Sequence, residues 1–259
     1  MRAAERRILI KEMVLRDGSV AVKDLSLQFG ISDEVARRDL ELLEQEGILK
    51  RNYGGATAVT EIQRIVSNVS PVKYRKMEQI PEKSAVADRA ASYVQEGDSV
   101  FIDAGSTTWF LVNKLKHLDR LVVVTNSVDV VYESSEKENW DVLLVGGKLK
   151  RKSMCLIGVD APTQIEALNV DISFVGTSGI SLKSGFTSSD MYEAEMKKKI
   201  IRAAQKSIVI STHDKIGKHE LHTFAHFNDV YALITSSLLE PALQKRLQKA
   251  GANLVIAPA

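Results

Sequence analysis

Apolar residues follow a helical period over the first sixty positions of this chain, and after about Glu82 they gather into short Val- and Ile-rich runs separated by helical segments. One layer cannot serve both textures. A helix buries a stripe of period 3.6, whereas a strand covered on both faces reads as a continuous apolar run. Two folding units are therefore expected, and 259 residues accommodate them. Thr60 to Pro81 carries Pro71, Pro81, the bases Arg64, Lys73, Arg75 and Lys76, and weak periodicity, so it reads as a linker. The expected domains are 1–59, a linker at 60–81, and 82–259.

Composition narrows the function classes. Apolar residues make up 44% and charged residues 26%, the balance of a globular protein with a real core. No apolar run approaches the ~18–20 residues of a membrane span, and the charged start at Met1 to Arg7 lacks a following apolar segment, so a cytoplasmic protein with no membrane partner is expected. The single cysteine, Cys155, forms no internal disulfide, and the five histidines show no ligand spacing, so no metal or cofactor is expected.

Three helices and a hairpin are expected in the first unit. A helix over Ala3–Leu15 carries Ala4, Ile8 and Leu15 on one face and ends at Asp17-Gly18-Ser19. The next places Val22, Leu25 and Phe29 on a stripe and stops at Gly30. Ser32 is suited to cap a third helix, with Asp33 and Glu34 at the positive end of its dipole. That helix runs to about Glu46, buries Ala36, Leu40 and Leu43, and is closed by Gly47. Residues 48–53 and 56–59 then form strands joined through Gly54-Gly55. This order is that of a winged helix-turn-helix.

Ten basic and ten acidic residues fall within positions 1–60, so any hold on DNA must come from placement rather than overall charge. Arg37 and Arg38 lie on the third helix, Lys50 and Arg51 enter the hairpin, and Gly54-Gly55 allows close approach to a phosphate. Arg37 is the candidate for a bidentate guanine contact, and Glu34 could accept from a cytosine amino group. The alternative is that both arginines are solvated and paired with Asp33, Glu34, Glu41 or Glu44 at helical spacing. The cap, the tight turn and the basic glycine hairpin favour DNA.

Beyond Glu82, a helix carrying Val86 and Ala90 leads into the strand Ser99–Ile102. Further strands are expected at Leu121–Val124, Val142–Val145, Ile208–Ile210, Val230–Ile234 and Leu254–Ile256, with helices at Thr108–Leu115, Tyr192–Ala204 and Glu240–Lys249. This is an α/β unit with an open, mostly parallel sheet and a ligand site at its strand C-termini. Asp103, Gly105, Ser106, Thr107 and Thr108 follow the first strand, with Gly105 easing the turn and the helix start suited to a phosphate. Alternatively Ser106 or Thr107 simply caps that helix. Thr125, Asn126 and Ser127 follow the second strand, and Gly146, Gly147 and Lys150 the third. Gly176, Glu193, Lys197 and Lys215 add groups from later loops.

The run Ile31 to Leu40 with its Arg-Arg-Asp-Leu core, and the hairpin Arg51-Asn52-Tyr53-Gly54-Gly55-Ala56, resemble the N-terminal signature of the DeoR-type family of bacterial sugar-catabolism regulators. Glu5-Arg6-Arg7 resembles its opening. The resemblance adds Ser32 and Tyr53 to the DNA-contact candidates. It extends through Asp103–Thr108, Thr125–Ser127, Gly146-Gly147, Asp171–Gly179, Glu193 with Lys197, and Lys215-Ile216-Gly217, covering nearly the whole chain. It implies an effector domain related to ribose-5-phosphate isomerase that binds phosphorylated sugars. The chain departs from the family at Val35-Ala36, in place of Thr-Ile, at Thr212, in place of an acid, and at Lys150, where arginine is common.

The expected function is a repressor of a sugar uptake or catabolic operon, bound to double-stranded operator DNA as a homodimer or homotetramer and released by a phosphosugar. An activator would look the same in sequence. The competing reading is a sugar-phosphate isomerase with Asp103, Glu193 and Lys197 or Lys215 as acid–base groups.

Overall fold

The computed structural model describes residues 3–46, 48–58, 71–158 and 160–258. Its two units meet in sequence between Ser70 and Pro71. The first contains α1 (Ala3–Asp17), β1 (Ser19–Ala21), α2 (Val22–Phe29), α3 (Asp33–Gln45), β2 (Leu49–Asn52) and β3 (Gly55–Ala58). Gly30 ends α2 with φ 62°, the left-handed turn expected of a glycine there. The Ser32 hydroxyl accepts from the Val35 amide at 3.3 Å and caps α3 as expected.

Ile10, Val14, Val22, Leu25, Ala36, Leu40, Leu43, Leu49 and Ala56 form the core of this unit. The expected face of α1 is wrong: Ile8 is 58% exposed, and the helix instead turns Arg6, Ile10 and Val14 inward. The cause is polar, because Arg6 reaches Asp39 of α3. The side chains of Ala4 and Leu15 lie outside the described set, as do Gly47 and Val59. Sequence reading missed β1, which completes an antiparallel sheet of order β1-β3-β2.

The second unit opens with the one-turn helix α4 (Val72–Arg75) and α5 (Ile80–Ala91), so residues 71–81 are not linker. Val72 is buried, and its amide donates to the Lys152 carbonyl at 2.7 Å. Residues 60–70 lie outside the described set.

Seven strands follow: β4 (Ser99–Ile102), β5 (Val122–Thr125), β6 (Asp141–Leu144), β9 (Val170–Gly176), β12 (Ala204–Ile210), β14 (Ala232–Ser236) and β15 (Leu254–Ala257). They form one sheet of order β15-β14-β12-β9-β4-β5-β6, parallel throughout. The main helices between them are α6 (Ser106–Leu115), α7 (Val128–Ser134), α8 (Asp160–Glu166), α9 (Met191–Arg202) and α10 (Pro241–Lys249). Successive strand residues feed two separate cores, Val100 and Ile102 packing with Val86 and Leu111, Phe101 with Ile200. Both faces are therefore covered, the architecture expected.

Central strand β9 was not anticipated, since Asp171 and Ser173 interrupt its apolar run. Both are satisfied laterally: Ser173 donates to Ser207 Oγ at 2.9 Å, and Asp171 accepts from the Ser99 amide and hydroxyl. At the outer strand β6, Val142, Leu143 and Leu144 are exposed rather than buried as expected. The antiparallel pair β7 (Lys148–Lys150) and β8 (Cys155–Ile157) and a small sheet of β10 (Gly179–Ser181), β11 (Gly185–Ser188) and β13 (His222–Ala225) complete the unit.

From β4 the chain winds outward through β5 and β6, then returns to β9 on the other side of β4 and continues outward through β12, β14 and β15. The winding reverses between β4 and β9. In open parallel sheets this is where ligands bind, at the strand C-termini.

Candidate functional site

On α3, Glu34, Arg37, Arg38 and Glu41 are exposed, while Ala36, Asp39, Leu40 and Leu43 point inward. Among the described residues neither arginine has a hydrogen bond or ion pair, so the intrahelical pairing alternative is not realised. Asp33 accepts instead from Ser26 Oγ at 2.7 Å, and Glu44 holds Arg51. Arg37 lines a depression between α3 and the hairpin, together with Glu44, Arg51, Asn52 and Gly54. Lys50 is exposed beside it, and Tyr53 stands fully exposed at the hairpin tip.

Two expected roles change. Arg51 donates through Nε to Glu44 Oε2 at 2.7 Å and through its backbone amide to Oε1 at 2.8 Å, clasping the hairpin to α3. Those bonds hold the Glu44 carboxyl below its ordinary value. Gly54 needs its left-handed φ of 95° and faces open space, whereas Gly55 is buried, and a Cβ there would lie 2.1 Å from the Val20 carbonyl oxygen. Gly55 is thus required by β1 rather than by a phosphate.

At the sheet reversal, Asp103 follows β4 and is almost fully buried. Its Oδ2 accepts from Lys197 Nζ of α9 and from the Gly176 amide at 3.2 Å, and Oδ1 accepts from Asn126 Nδ2 at 3.4 Å. Burial pushes the Asp103 carboxyl up despite the Lys197 ammonium. Asn126 returns the bond by accepting from the Ala104 amide at 2.9 Å, and Thr125 Oγ1 donates to the Ile102 carbonyl at 2.6 Å. Ser127 Oγ caps α7 by accepting from the Val130 amide at 3.3 Å. Asp103, Thr125, Asn126, Ser127, Gly176 and Lys197 thus form one locked rim.

Gly105 does not relieve a turn: its φ of 177° is extended backbone. A Cβ there would instead lie 2.9 Å from Thr108 Oγ1, whose hydroxyl donates to the Gly105 carbonyl at 3.1 Å. Among the described residues no side chain caps α6, so the alternative in which Ser106 or Thr107 does so is not realised, and the first amides of the helix suit an anion.

The hairpin β7–β8 carries Lys150 to Glu193, and Lys150 Nζ lies 2.8 Å from both Asp190 Oδ2 and Glu193 Oε1. Ser153, which sequence reading passed over, donates to the same Glu193 oxygen at 2.9 Å. Although burial opposes it, the Lys150 and Lys197 ammonium groups pull the Glu193 carboxyl below its ordinary value. Cys155 sits nearby, its thiol pushed up to about 12 by burial.

Three candidates stand apart. Gly146 donates to Gln164 Oε1 at 3.0 Å, and Gly147 is required by the Ile157 carbonyl, 2.5 Å from where its Cβ would be. Lys215 is engaged by Asp214 at 2.8 Å, and no bond among the described residues joins it to Asp103.

A winged helix with an exposed arginine face, in one chain with a parallel α/β unit whose reversal point gathers cations and a helix start, defines a ligand-responsive DNA-binding regulator. Comparison with known proteins gives the family. Residues 6–62 match the DeoR-like helix-turn-helix domain and residues 78–237 the DeoR C terminal sensor domain. Among curated relatives, the transcriptional regulator YulB of Bacillus subtilis (strain 168) is 34% identical over 100% of this chain and 98% of its own. The regulator GlpR of Haloferax volcanii is 32% identical over 98% of each chain, and IolR of Bacillus subtilis (strain 168) 30% identical over 89% of this chain and 90% of its own. The chain belongs to the DeoR family of transcriptional regulators. Ribose 5-phosphate isomerase A from Methanocaldococcus jannaschii aligns with 52% of this chain and 53% of its own at 15% identity and TM-score 0.38, a distant likeness only. The relatives are regulators, so the isomerase reading of Asp103, Glu193, Lys197 and Lys215 is set aside.

Proposed function

We propose that this regulator represses a sugar uptake or catabolic operon and is released from its operator by a phosphorylated sugar. The observation that carries the reading is the uncapped start of α6 at the sheet reversal, flanked by the Lys197–Asp103 and Lys150–Glu193 pairs. Helix amides and ammonium groups suit a phosphate, and carboxylates suit sugar hydroxyls. In the first unit, Arg37 reads the major groove from α3, with Ser32, Glu34 and Arg38 beside it, while Lys50, Tyr53 and Gly54 present the hairpin to the backbone. Two copies at least are needed, because one such module makes too few contacts for tight operator binding. Among the described residues no helix is long and apolar enough to cross a membrane, and the setting is the cytoplasm, where phosphosugars and DNA meet.

The test is fluorescence anisotropy of the full chain on its own promoter duplex, titrated at several salt concentrations against a panel of phosphosugars and their unphosphorylated parents. A phosphosugar that lowers operator affinity where its parent sugar does not supports the reading. Promoter affinity equal to that for random duplex, with and without the panel, defeats it.

A further inference from the structure

β6 is the last strand of the seven-stranded sheet, and no strand among the described residues pairs with its free side. Its ladder with β5 decides what that side offers. The Asp141 and Val145 amides donate to the Leu121 and Thr125 carbonyls, so Asp141, Leu143 and Val145 turn their backbone groups toward β5. Val142 and Leu144 turn theirs outward. Their side chains lie on one face of the sheet and that of Leu143 on the other, yet all three are exposed, at 36%, 38% and 47%. On the face of Val142 and Leu144, α7 packs on β6 and adds Tyr132, 75% exposed. The opposite edge differs: in β15, Leu254, Val255 and Ile256 are half-buried and Ala257 is buried. An open edge is ordinarily blunted by lysine, proline or a bulge, and Val142-Leu143-Leu144 has none of these.

A second copy of the chain fits this edge. Two-fold antiparallel pairing about Leu143 sets Val142 against the partner's Leu144, and Leu144 against the partner's Val142. These are the two residues whose amides and carbonyls point outward, and each such pair exchanges two hydrogen bonds. The next outward positions on either side are filled, since the Gly146 amide donates to Gln164 and the Trp140 amide to the Lys137 carbonyl. Moving the axis to Val142 or Leu144 would therefore oppose an open residue with a filled one. At Leu143 the axis brings that side chain against the partner's Leu143, in the closer kind of antiparallel pair. Charge obeys the same axis. Glu138 and Lys148 are exposed and equally far from Leu143 in sequence, so the acidic end of one strand meets the basic end of the other.

We infer that β6 is the joining edge of the assembled regulator: two copies pair through it, antiparallel about Leu143, and their sheets run on as one. The inference rests on the reading above in which operator binding needs two copies, and it names the surface that joins them.

The full chain is followed by sedimentation velocity over a dilution series. Leu143→Lys and Leu143→Glu each set like charges against one another at the axis. Each should weaken the joint about 10- to 100-fold, halving the assembled mass at concentrations where the parent is intact. Mixed in equal amounts, the two should recover the parental mass, because lysine then faces glutamate, a pattern that belongs to a residue meeting its own copy. Leu144→Pro removes an outward amide without touching the β5 ladder and should also dissociate the joint. Leu238→Lys, at an exposed leucine beyond β14, should match the parent. Every variant should keep the parental circular dichroism and the emission of Trp140, which is buried just before β6. If the parent assembles and both Leu143 variants keep its mass, the inference falls while the two-copy reading stands. If they dissociate but do not recover on mixing, Leu143 is not at the axis and the inference falls. If the parent is a single chain at concentrations that saturate its operator, both fall.

Discussion

Asp39 is the residue through which the DNA-reading unit is most vulnerable. It is 3% exposed, accepts from Arg6 Nε at 2.6 Å and lies 3.6 Å from Arg7, and Arg6 is itself only 8% exposed. Asp39→Ala strands a buried guanidinium without its partner, a change that costs about 3–5 kcal/mol. A core as small as this one supplies no more than about 3–5 kcal/mol of net stability, so the loss equals the whole. Asp39→Ala should therefore unfold the first unit near room temperature and leave the second intact. Both tryptophans, Trp109 and Trp140, lie in the second unit, so fluorescence follows its melting while far-ultraviolet circular dichroism follows both. The variant should lose a helical fraction of its ellipticity with the fluorescence midpoint unchanged, lose operator binding, and keep ligand binding. Replacing both partners, as Arg6→Met with Asp39→Leu, should recover most of the stability, because no charge is then left buried alone. A helical transition of Asp39→Ala within ~3 °C of the parent, or a double variant no better than the single, would refute the argument.

Other outcomes follow from single contacts. Arg37→Ala should weaken operator binding about 10- to 100-fold in anisotropy, the span of one good bidentate base contact, with melting unchanged, and undiminished affinity would remove Arg37 from the interface. Gly55→Ala drives a methyl into the Val20 carbonyl and should cost about 1–3 kcal/mol in denaturant titration, whereas Gly54→Ala meets only backbone strain of roughly 1–2 kcal/mol; the reverse order would contradict the assignment. Burial lowers the Lys83 ammonium to about 8 from 10.5, so between these values the unfolded chain holds the extra proton. Unfolding free energy attributable to Lys83 should therefore rise from pH 8 to 10.5, and Lys83→Met should remove that slope; a slope that persists in Lys83→Met assigns it elsewhere.

How far the sequence could be read depended on whether a residue's partners were local. Ser32, Gly30 and the stripe Ala36, Leu40 and Leu43 act within one or two helical turns, and all stand where periodicity and capping put them. Ile8 was misplaced because the face of α1 is chosen by Asp39, 33 residues beyond Arg6. Strand β9 was hidden by Asp171 and Ser173, whose hydrogen bonds come from strands 72 and 34 residues away. Residues 71–81 read as linker because two prolines and a run of bases are loop chemistry, and only the tertiary contacts of Val72 with Lys152 and of Lys76 with Asp129 and Trp109 order their first part. The sensor rim was legible as a set of loops after strands, yet the sequence had no means of separating Gly146 and Gly147, spent on local packing, from Asp103, Asn126 and Lys197, which bond to one another.

Two departures from the family pattern, at Thr212 and Lys150, are answered within the structure. Thr212 stands where an acid is usual, and its hydroxyl donates to Asp214 Oδ1 at 2.6 Å. Asp214 also takes Lys215 at 2.8 Å and Gln79 at 3.3 Å, so a carboxylate displaced by two residues restores the negative charge at this turn and holds the residue that precedes α5. Burial opposes ionisation there, but Lys215 and the Thr212 hydroxyl hold the Asp214 carboxyl far below its ordinary value. Lys150 replaces an arginine and sits 2.8 Å from each of two carboxylates on the same helix start. A compact ammonium can bridge Asp190 and Glu193 at one point, whereas a guanidinium fork would engage one of them side-on and leave the other. The bridge holds Glu193 ionised in a buried place, and the cation is then shared between two acids rather than offered outward.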